Sequence, residues 1–417
     1  MPNVKFTSLA CLIGLFIFVG IYQWSDDPTQ GPKLFPLKYR NKEIDSYTNS
    51  ATVNLTSTTQ DKDREIRILF WKPIFGQYIK FNIDRKQCGN CVVSYDTKYL
   101  ESSDAVIIHY SEARVGALPN PAKRHPNQMY VYFSMESPYA VSVLRGLHFD
   151  SLGPYFNWTM NYRRDADIFF PCFEWYVGQN IFNGDTKDQY SLKVVQDIIS
   201  KKSSPLMVLW MAGNCGSTHG AKLRMQLVKE IEAAGLKVDK RGGCFGTQAP
   251  KGDVYKTFAA KYKFYFSFEN AMHCRDYITE KLWKNALDSG LVPIVWGPKR
   301  EDLEQLAPKG SYIFYEDFQS SAKLVEYLNY LDTNDTAYAE YFNWRLEQPS
   351  PSVYKMVDHA SEYKRRSGIC QMCQMLTEKV KFNNVSKIIK SLDSWWTGTE
   401  REECLSNTIP LHPTVFK

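Results

Sequence analysis

The 417-residue chain has no long run of charge of one sign. Its 51 lysine and arginine residues nearly balance 45 aspartate and glutamate residues, and the formal net charge is only +6. A nucleic-acid-binding protein would be expected to concentrate its basic residues in one segment or on one face. This distribution gives no support for a nucleic-acid partner, although it leaves room for an anionic ligand bound locally.

Two other common signatures are missing. Segment 213–220, GNCGSTHG, lacks the Gly-Lys-Ser/Thr ending of a nucleoside-triphosphate-binding P-loop. His109 and His273 have no partners at the spacings that metal sites use, so we predict no metal site. The chain is not of the disordered class, because its 44% hydrophobic residues suffice for a large core, which we expect to divide into two domains.

One long apolar run stands near the amino terminus. Residues 6–24 are nineteen consecutive residues without a charge, close to the roughly 20 that cross a bilayer as a helix. A cleaved signal peptide is the alternative, but its apolar region is usually shorter and ends in small residues, whereas this run ends in Ile-Tyr-Gln-Trp. We predict a cytoplasmic tail at 1–5, a signal-anchor helix at 6–24 and a flexible, polar stem at 25–62.

Sequons and cysteines indicate a lumenal body beyond this run. Four Asn-x-Ser/Thr sequons follow it, at Asn54, Asn157, Asn334 and Asn384. Nine of the ten cysteines also follow it, including the close pairs Cys88/Cys91 and Cys370/Cys373. In an oxidising lumen we expect disulfides at these pairs rather than zinc, with at least one thiol left over. Their spacing does not give the connectivity.

The rest of the chain alternates β-rich runs with helical patterns. The β-rich runs are 66–71, 91–93, 105–109, 129–133, 206–210, 264–268 and 291–296. Leu223, Leu227 and Ile231 recur at helical spacing, and 278–287 predicts a helix closed by Gly290. Such alternation builds parallel sheets with ligands at the carboxyl ends of the strands. We predict an α/β fold of two Rossmann-like domains facing a cleft, at 63–200 and 201–360, and a disulfide-containing tail at 361–417.

The most informative segment is 268–297, FENAMHCRDYITEKLWKNALDSGLVPIVWG. It places Tyr277, Glu280 and Lys281 in the first turns of the predicted helix. Helix amino termini offer free N–H groups and partial positive charge, so this geometry suits a phosphate, with Lys281 adding a full charge and Glu280 accepting from ribose hydroxyls. The residues alone fit equally well an ordinary helix with both charges in solvent.

The same segment resembles the signature of the α1,3/α1,4-fucosyltransferase family, which runs Phe-Glu-Asn-Ser, a short gap and Asp-Tyr-Ile-Thr-Glu-Lys-Leu-Trp. Residues 268–270 and 276–283 match it, and Ala271 stands where the family usually has Ser. Segments 129–138, ending in Glu-Ser-Pro, and 156–171, FNWTMNYRRDADIFFP, are similar to motifs of the family's acceptor-side domain, in the family's order. The resemblance covers separate blocks between residues 64 and 373.

The resemblance implies a GT-B architecture, in which the carboxyl-side domain binds GDP-fucose and the amino-side domain receives the acceptor. It implies that Glu136 is the base that takes the proton from the acceptor hydroxyl in an inverting transfer. Without the family, a glutamate paired with Arg163 or Arg164 would be the favoured interpretation. Asp165-Ala166-Asp167 is interpreted as structural rather than as a metal-binding motif, because a similar Asp-Ser-Asp occurs in the family's acceptor-side motif.

The resemblance also implies a set of donor-binding residues, namely Arg224, Asn270, Tyr277, Glu280 and Lys281. Arg224 and Lys281 would stabilise the negative charge that builds on the departing diphosphate. Arg224 follows the 213–220 loop, where the family has a diphosphate-binding arginine. A solvated arginine beside Lys222 is the alternative.

Together these features predict a single-pass type II Golgi membrane enzyme with a lumenal catalytic domain. We expect it to transfer L-fucose from GDP-fucose to an N-acetylglucosamine residue of a glycoprotein N-glycan, without a required cofactor. Its partners would be GDP-fucose, the glycan acceptor and the Golgi membrane. Residues 128–138 and 370–373 look more like core-type members, which favours the N-glycan core over the antennae. The rival functions are another nucleotide-sugar transferase and an inactive glycan-binding protein on the same fold.

Overall fold

The computed structural model describes residues 64–81, 83–145, 149–172, 192–203, 208–346, 367–382, 388–398 and 403–404, all within the compact unit Thr58–Lys417. The predicted tail, anchor and stem lie outside these ranges, as do Asn54 and Asn384. Within the described ranges, no helix has the length and apolar character needed to cross a membrane.

Two parallel sheets form the centre of the structure. Their strands are β1 Ile66–Phe70, β2 Cys91–Ser94, β3 Ala105–His109, β4 Met129–Ser134, β5 Trp158–Asn161, β6 Ile168–Phe169, β7 Val208–Met211, β8 Val238–Arg241, β9 Phe264–Phe268, β10 Val292–Trp296 and β11 Ile313–Phe314. The first sheet has the order β2-β1-β3-β4-β5-β6 and the second β11-β10-β9-β7-β8. All their pairings are parallel, which confirms the predicted α/β class.

Helices connect the strands and cover the sheets. They are Arg85–Cys88, Pro138–Arg145, Leu192–Ser200, His219–Ala233, Gly252–Ala259, Arg300–Leu306, Ser321–Thr333, Asp335–Glu340, Gly368–Phe382 and Leu392–Thr397, together with the π-helix Lys281–Ala286. The helix predicted around Leu223, Leu227 and Ile231 is therefore His219–Ala233, and all three side chains are buried. The predicted domain boundaries at 200 and 360 stay a prediction.

The carboxyl-terminal segment is part of the core of the first sheet. Phe133 on β4 faces the apolar cluster that contains Met372 and Leu376 of the helix Gly368–Phe382. Tyr132, on the opposite face of β4, packs against Trp396 with ring centroids 5.7 Å apart. Both faces of the strand are buried, as is usual for parallel sheets. The carboxyl-terminal segment therefore stabilises the part of the molecule that contains the first sheet.

Disulfides attach this segment covalently. The structure pairs Cys88 with Cys370 and Cys91 with Cys373, each over a sequence separation of 282 residues. The prediction of disulfides at these four cysteines is confirmed, and the pairing joins the two Cys-x-x-Cys motifs to each other. Two further disulfides are Cys215–Cys244 and Cys274–Cys404. Cys172, the unpaired cysteine among the described residues, is buried.

Asn157 is a correction to the predicted glycosylation sites. Its side chain is buried, with the residue only 1% exposed. Its Oδ1 atom accepts hydrogen bonds from the backbone N–H of Tyr130 and from Arg124. A glycan would be attached to the Nδ2 atom of this buried side chain and would have to open the core, so the folded structure argues against attachment there. Asn334, at the start of the helix Asp335–Glu340, is partly exposed and stays a candidate.

A buried charge cluster joins the two halves of the structure. The first half is the part that contains the first sheet, and the second half is the part that contains the second sheet. Arg164, which follows β5 of the first sheet, donates through its backbone N–H to Asp276 Oδ2 at 2.8 Å. Its side chain donates to Asp276 Oδ1 at 2.7 Å and to Asp302 Oδ1 at 2.8 Å. Both aspartates belong to the second half and are buried. Burial and the neighbouring Asp302 carboxylate raise the pKa of Asp276 to about 6, although Arg164 opposes this shift.

The raised pKa predicts how stability depends on pH. Between pH about 4 and about 6, the folded protein holds a proton on Asp276 that the unfolded chain has released. The free energy of unfolding should therefore fall as the pH rises through this window, by at most about 1.4 kcal/mol per pH unit, and level off above it. Asp302→Asn removes the repulsion between the carboxylates and should flatten this contribution.

Guanidinium unfolding at pH 4, 5, 6 and 7 measures the effect as a difference between the parent protein and Asp302→Asn. Asp197→Asn, which changes an exposed carboxylate paired with Lys201, is the matched control. An identical slope in the parent protein and Asp302→Asn would contradict the assignment.

Candidate active site between the two sheets

A cavity of about 390 Å³ lies where the strands of both sheets end. Phe75, His109 and Glu136 reach it from the loops and ends of β1, β3 and β4 in the first sheet. Asn214 and Asn270 reach it from the loops after β7 and β9 in the second sheet. Ligands bind at the carboxyl ends of the strands in open parallel sheets, so the cavity is where the fold predicts a site.

All six residues that the sequence assigned to catalysis and donor binding line this one cavity. They are Glu136, Arg224, Asn270, Tyr277, Glu280 and Lys281. Glu136 comes from the first half and the other five from the second. Residues separated by more than a hundred positions in the sequence are thus brought together where the two halves meet.

The helix of the signature segment begins later than predicted. Tyr277 to Thr279 are not helical. The helical region starts at Glu280, continues as the π-helix Lys281–Ala286 and ends just before Gly290, which adopts a left-handed backbone conformation. The physical reason is Glu269, whose Oε1 atom accepts from the backbone N–H of Thr279 at 3.0 Å and from its hydroxyl at 2.7 Å. These two hydrogen bonds hold Thr279 outside the helix, which begins at the next residue.

Lys281 is buried against carboxylates rather than exposed on a helix face. Its Nζ atom lies 2.9 Å from Glu269 Oε2, 2.7 Å from Thr279 Oγ1 and 3.2 Å from Glu280 Oε1. Burial alone would lower the pKa of Lys281, but Glu269 and Glu280 raise it above its usual value. Burial likewise opposes ionisation of Glu280, yet Lys281 lowers its pKa overall. Lys281 and Glu280 are therefore charged at neutral pH.

Arg224 is also buried, at 2% exposure, which excludes the solvated alternative. Its guanidinium donates to the carbonyl oxygen of Phe268 at 2.8 Å and to that of Asn214 at 2.7 Å. These bonds link the loops after β9 and β7. The Nε atom has no hydrogen-bond partner among the described residues and belongs to a side chain that lines the cavity. A buried, charged donor of this kind is suited to an anionic ligand.

Glu136 meets the second half through Tyr277. Its Oε2 atom lies 3.2 Å from the Tyr277 hydroxyl, which is also 2.9 Å from Asn270 Oδ1. Arg163 and Arg164, the partners that the residues alone favoured, bind other carboxylates, with Arg163 on Asp165 and Arg164 on Asp276. Burial raises the pKa of Glu136 and Lys281 partly offsets the shift.

The aromatic wall of the cavity was not predicted from the sequence. Phe75 is 61% exposed and has a φ of 48°, a left-handed conformation that is uncommon for a bulky residue. Its ring lies 4.9 Å from the ring of His109 and 6.1 Å from that of Tyr110, both edge-on. The available signal was the position of His109 at the end of a strand, where parallel sheets bind ligands. The Phe75-Gly76 turn after β1 was a second signal that Phe75 lies in a loop at the carboxyl end of a strand.

The Asp165-Ala166-Asp167 motif is engaged in structural contacts. Asp167 accepts from the backbone N–H of Thr159 at 2.9 Å, and Asp165 pairs with Arg163 and Arg275. In the part of the chain that the structure describes, no group of three or more His, Cys, Asp or Glu side chains is arranged to hold a metal ion.

Family models cover both halves of the molecule. Residues 63–173 match the model "Fucosyltransferase, N-terminal", and residues 199–395 match "Glycosyltransferase family 10 (fucosyltransferase) C-term". The chain belongs to glycosyltransferase family 10. The resemblance seen in the signature segment is therefore confirmed.

Similar proteins include a Pan troglodytes 4-galactosyl-N-acetylglucosaminide 3-α-L-fucosyltransferase, 33% identical over 312 residues that cover 74% of this chain and 76% of that protein. A Bos taurus 3-galactosyl-N-acetylglucosaminide 4-α-L-fucosyltransferase is 32% identical over 341 residues, covering 79% and 82%. A crystal structure of an α1,3-fucosyltransferase with GDP-fucose aligns with a TM-score of 0.48 at 17% identity, covering 79% of this chain and 94% of that one. The sequence identities carry the family assignment.

The Cys215–Cys244 disulfide is predicted to matter for the site of this family 10 protein. It ties the loop that carries Asn214 to the turn after β8, over a separation of 29 residues. Replacing both cysteines by Ala should lower the free energy of unfolding by about 2–4 kcal/mol. It should also raise the KM for the sugar donor, because the carbonyl of Asn214 that holds Arg224 loses its support.

Steady-state kinetics and denaturant unfolding test this prediction together. Replacing Cys88 and Cys370 by Ala is the matched control, because that disulfide lies in the core of the first sheet and neither cysteine lines the cavity. The control should lose stability and keep its donor KM. Equal changes of KM in the two double variants would show that the disulfide near the cavity acts only through global stability.

Proposed function

We propose that this chain is an inverting α1,3-fucosyltransferase that moves L-fucose from GDP-fucose to an N-acetylglucosamine residue of a glycoprotein N-glycan. The observation that carries the proposal is that Glu136, from one half of the molecule, and Arg224 and Lys281, from the other, line one cavity. A base and two buried cations around one cavity are what an inverting transfer from a nucleotide sugar requires. Family membership and the fucosyltransferases named among the relatives support it.

Glu136 would act on the acceptor. As the acceptor hydroxyl oxygen attacks the anomeric carbon of fucose, the carboxylate takes the hydroxyl proton and the bond from that carbon to the diphosphate breaks. Attack opposite the leaving group inverts the configuration at the anomeric carbon. Burial raises the pKa of Glu136 towards the range in which a carboxylate is an effective general base, while Lys281 and the Tyr277 hydrogen bond limit the rise.

Arg224 and Lys281 would act on the donor. Negative charge builds on the diphosphate as the bond to fucose breaks, and preorganised cations in a closed site stabilise that charge. Arg224 offers its unpartnered Nε atom, and Lys281 would exchange part of its contacts with Glu269 and Glu280 for phosphate oxygens. Glu280, freed in part, could then accept from ribose hydroxyls. The proposed reaction needs no metal or other cofactor.

The aromatic wall supports a carbohydrate acceptor. Phe75 presents an exposed ring beside the cavity, and the His109 and Tyr110 rings stand behind it. Such surfaces suit the apolar face of a sugar ring, with polar groups nearby to orient its hydroxyls. The relatives named above act on galactosylated N-acetylglucosamine, whereas residues 128–138 and 370–373 resemble core-type members, so both acceptors belong in the assay.

The proposed setting is the Golgi membrane, with one amino-terminal anchor and a lumenal catalytic domain. The apolar run at 6–24 supports the anchor. Four disulfides in the described part of the chain support an oxidising compartment, because cytosolic thiols are kept reduced.

Glu136→Gln is expected to abolish transfer while GDP-fucose binding survives. The amide keeps the shape of the side chain but cannot accept a proton, so kcat should fall by about 100-fold or more. The assay uses the chain from residue 62 onward, labelled GDP-fucose, a core N-glycan and free N-acetyllactosamine. Retained transfer to the preferred acceptor, or simultaneous loss of nucleotide binding, would contradict the role of Glu136 as the base. Binding of GDP-fucose by the parent protein without transfer to any glycan would favour the glycan-binding alternative.

Lys281→Met is expected to weaken GDP-fucose binding by at least about 10-fold. The substitution removes a cation and leaves Glu269 and Glu280 facing the phosphates, so repulsion adds to the lost attraction. Calorimetric titration with GDP and GDP-fucose measures the change, with circular dichroism to establish folding. Lys284→Met, three residues along the same π-helix and outside the cavity lining, is the control. Similar affinities for the two variants would contradict the role of Lys281.

A further inference from the structure

We propose that Tyr277 is a positioning residue for Glu136, whose hydroxyl orients the carboxylate from the opposite wall of the cavity and stabilises its charged form. The inference rests on the proposed role of Glu136 as the base. It differs from the donor-binding role that the sequence predicted for Tyr277, because the hydroxyl is directed at the carboxylate. Tyr277 would thus act on the acceptor step through Glu136.

The hydrogen-bond geometry carries this inference. The Tyr277 hydroxyl lies 3.2 Å from Glu136 Oε2 and 2.9 Å from Asn270 Oδ1, so its single proton faces two acceptors. A negatively charged acceptor attracts that proton more strongly than a neutral amide oxygen. Hydrogen bonds from both Tyr277 and Asn270 counter the rise that burial causes in the pKa of Glu136.

The hydrogen bond from Tyr277 to Glu136 matters because the charges near Glu136 partly cancel each other. Lys281 favours the carboxylate form of Glu136, and Glu280, which neighbours Lys281, disfavours it. The two charges offset one another in part, so the uncharged donors Tyr277 and Asn270 contribute to holding Glu136 ionised. From the first half, His109 and Cys172 line the same cavity. Burial holds the Cys172 thiol in its neutral form by raising its pKa.

Tyr277 is fixed well enough to orient another group. It is only 3% exposed, and its ring lies 5.2 Å from that of Tyr162, which belongs to the first half. The preceding residue, Asp276, has a φ of 56° and is bound by Arg164. The backbone N–H of Tyr277 donates to the carbonyl of Cys274, which forms a disulfide with Cys404. A hydroxyl anchored from so many sides is preorganised, as a group that supports a catalytic residue needs to be.

Tyr277→Phe tests the inference through the pH dependence of kcat/KM. Transfer requires ionised Glu136, so activity falls on the acid side as the carboxylate gains a proton. Loss of the O–H donor should move this acid limb to higher pH by about one unit and leave GDP-fucose affinity within about twofold. Tyr162→Phe is the matched control, because its buried hydroxyl has no hydrogen-bond partner among the described residues, and its acid limb should stay in place.

The Glu136→Gln background separates the two possible roles of Tyr277. If Tyr277 acts through Glu136, adding Tyr277→Phe to Glu136→Gln should cause no further loss of the residual transfer. An unmoved acid limb, or a fall in GDP-fucose affinity of about 10-fold or more in either background, would overturn the inference and restore the donor-binding role. Full activity of Glu136→Gln alone would instead overturn the proposed function.

Asn270→Ala gives a second test. With the amide oxygen removed, Glu136 Oε2 is the remaining acceptor of the two that the Tyr277 hydroxyl contacts. Adding Tyr277→Phe to Asn270→Ala should therefore still move the acid limb to higher pH, and an acid limb at the same pH in the two folded proteins would count against the inference.

Discussion

The buried carboxylate of Glu269 sets the geometry of the active site. It binds the N–H and hydroxyl of Thr279 through one oxygen and the ammonium group of Lys281 through the other. Burying a carboxylate is costly unless it is paired and hydrogen-bonded, so these contacts are needed together. They decide where the helix begins and therefore which side chains face the cavity. Gly297 has no Cβ, and one would stand 2.9 Å from the Cβ of Glu269.

The same pairing balances the strong charges of the site. Lys281 is paired with Glu269 and Glu280, and Arg224 donates to two backbone carbonyls. A diphosphate would compete for these contacts instead of entering a site with free cations. Binding would then replace contacts between Lys281 and carboxylates by contacts between Lys281 and phosphate oxygens. A carboxylate that loses Lys281 would need new hydrogen bonds from the ligand, and ribose hydroxyls could donate them to Glu280.

Sequence patterns predict the long, fully buried strands and the residues that line the cavity, because both depend on local composition and on the signature match. They miss β5, β6 and β11, and the last two have only two residues each, too few for any periodicity. The pairing of Cys88 with Cys370 and the packing of Trp396 on Tyr132 depend on contacts between distant segments. The late start of the π-helix depends on the side chain of Glu269, which competes with the helix for the N–H of Thr279.

The proposed base, Glu136, and the proposed donor-binding cations come from different halves of the molecule and can act together only if the halves are held in register. The contacts that hold the halves together include the immediate chain neighbours of Tyr277, which lines the cavity. Arg164 binds Asp276, the neighbour of Tyr277, and the Cys274–Cys404 disulfide fixes the loop that leads to them. A displacement of about 1 Å is enough to weaken a catalytic arrangement severely. The stability of this junction and the placement of Glu136 are therefore one physical requirement, met by the same short segment of chain.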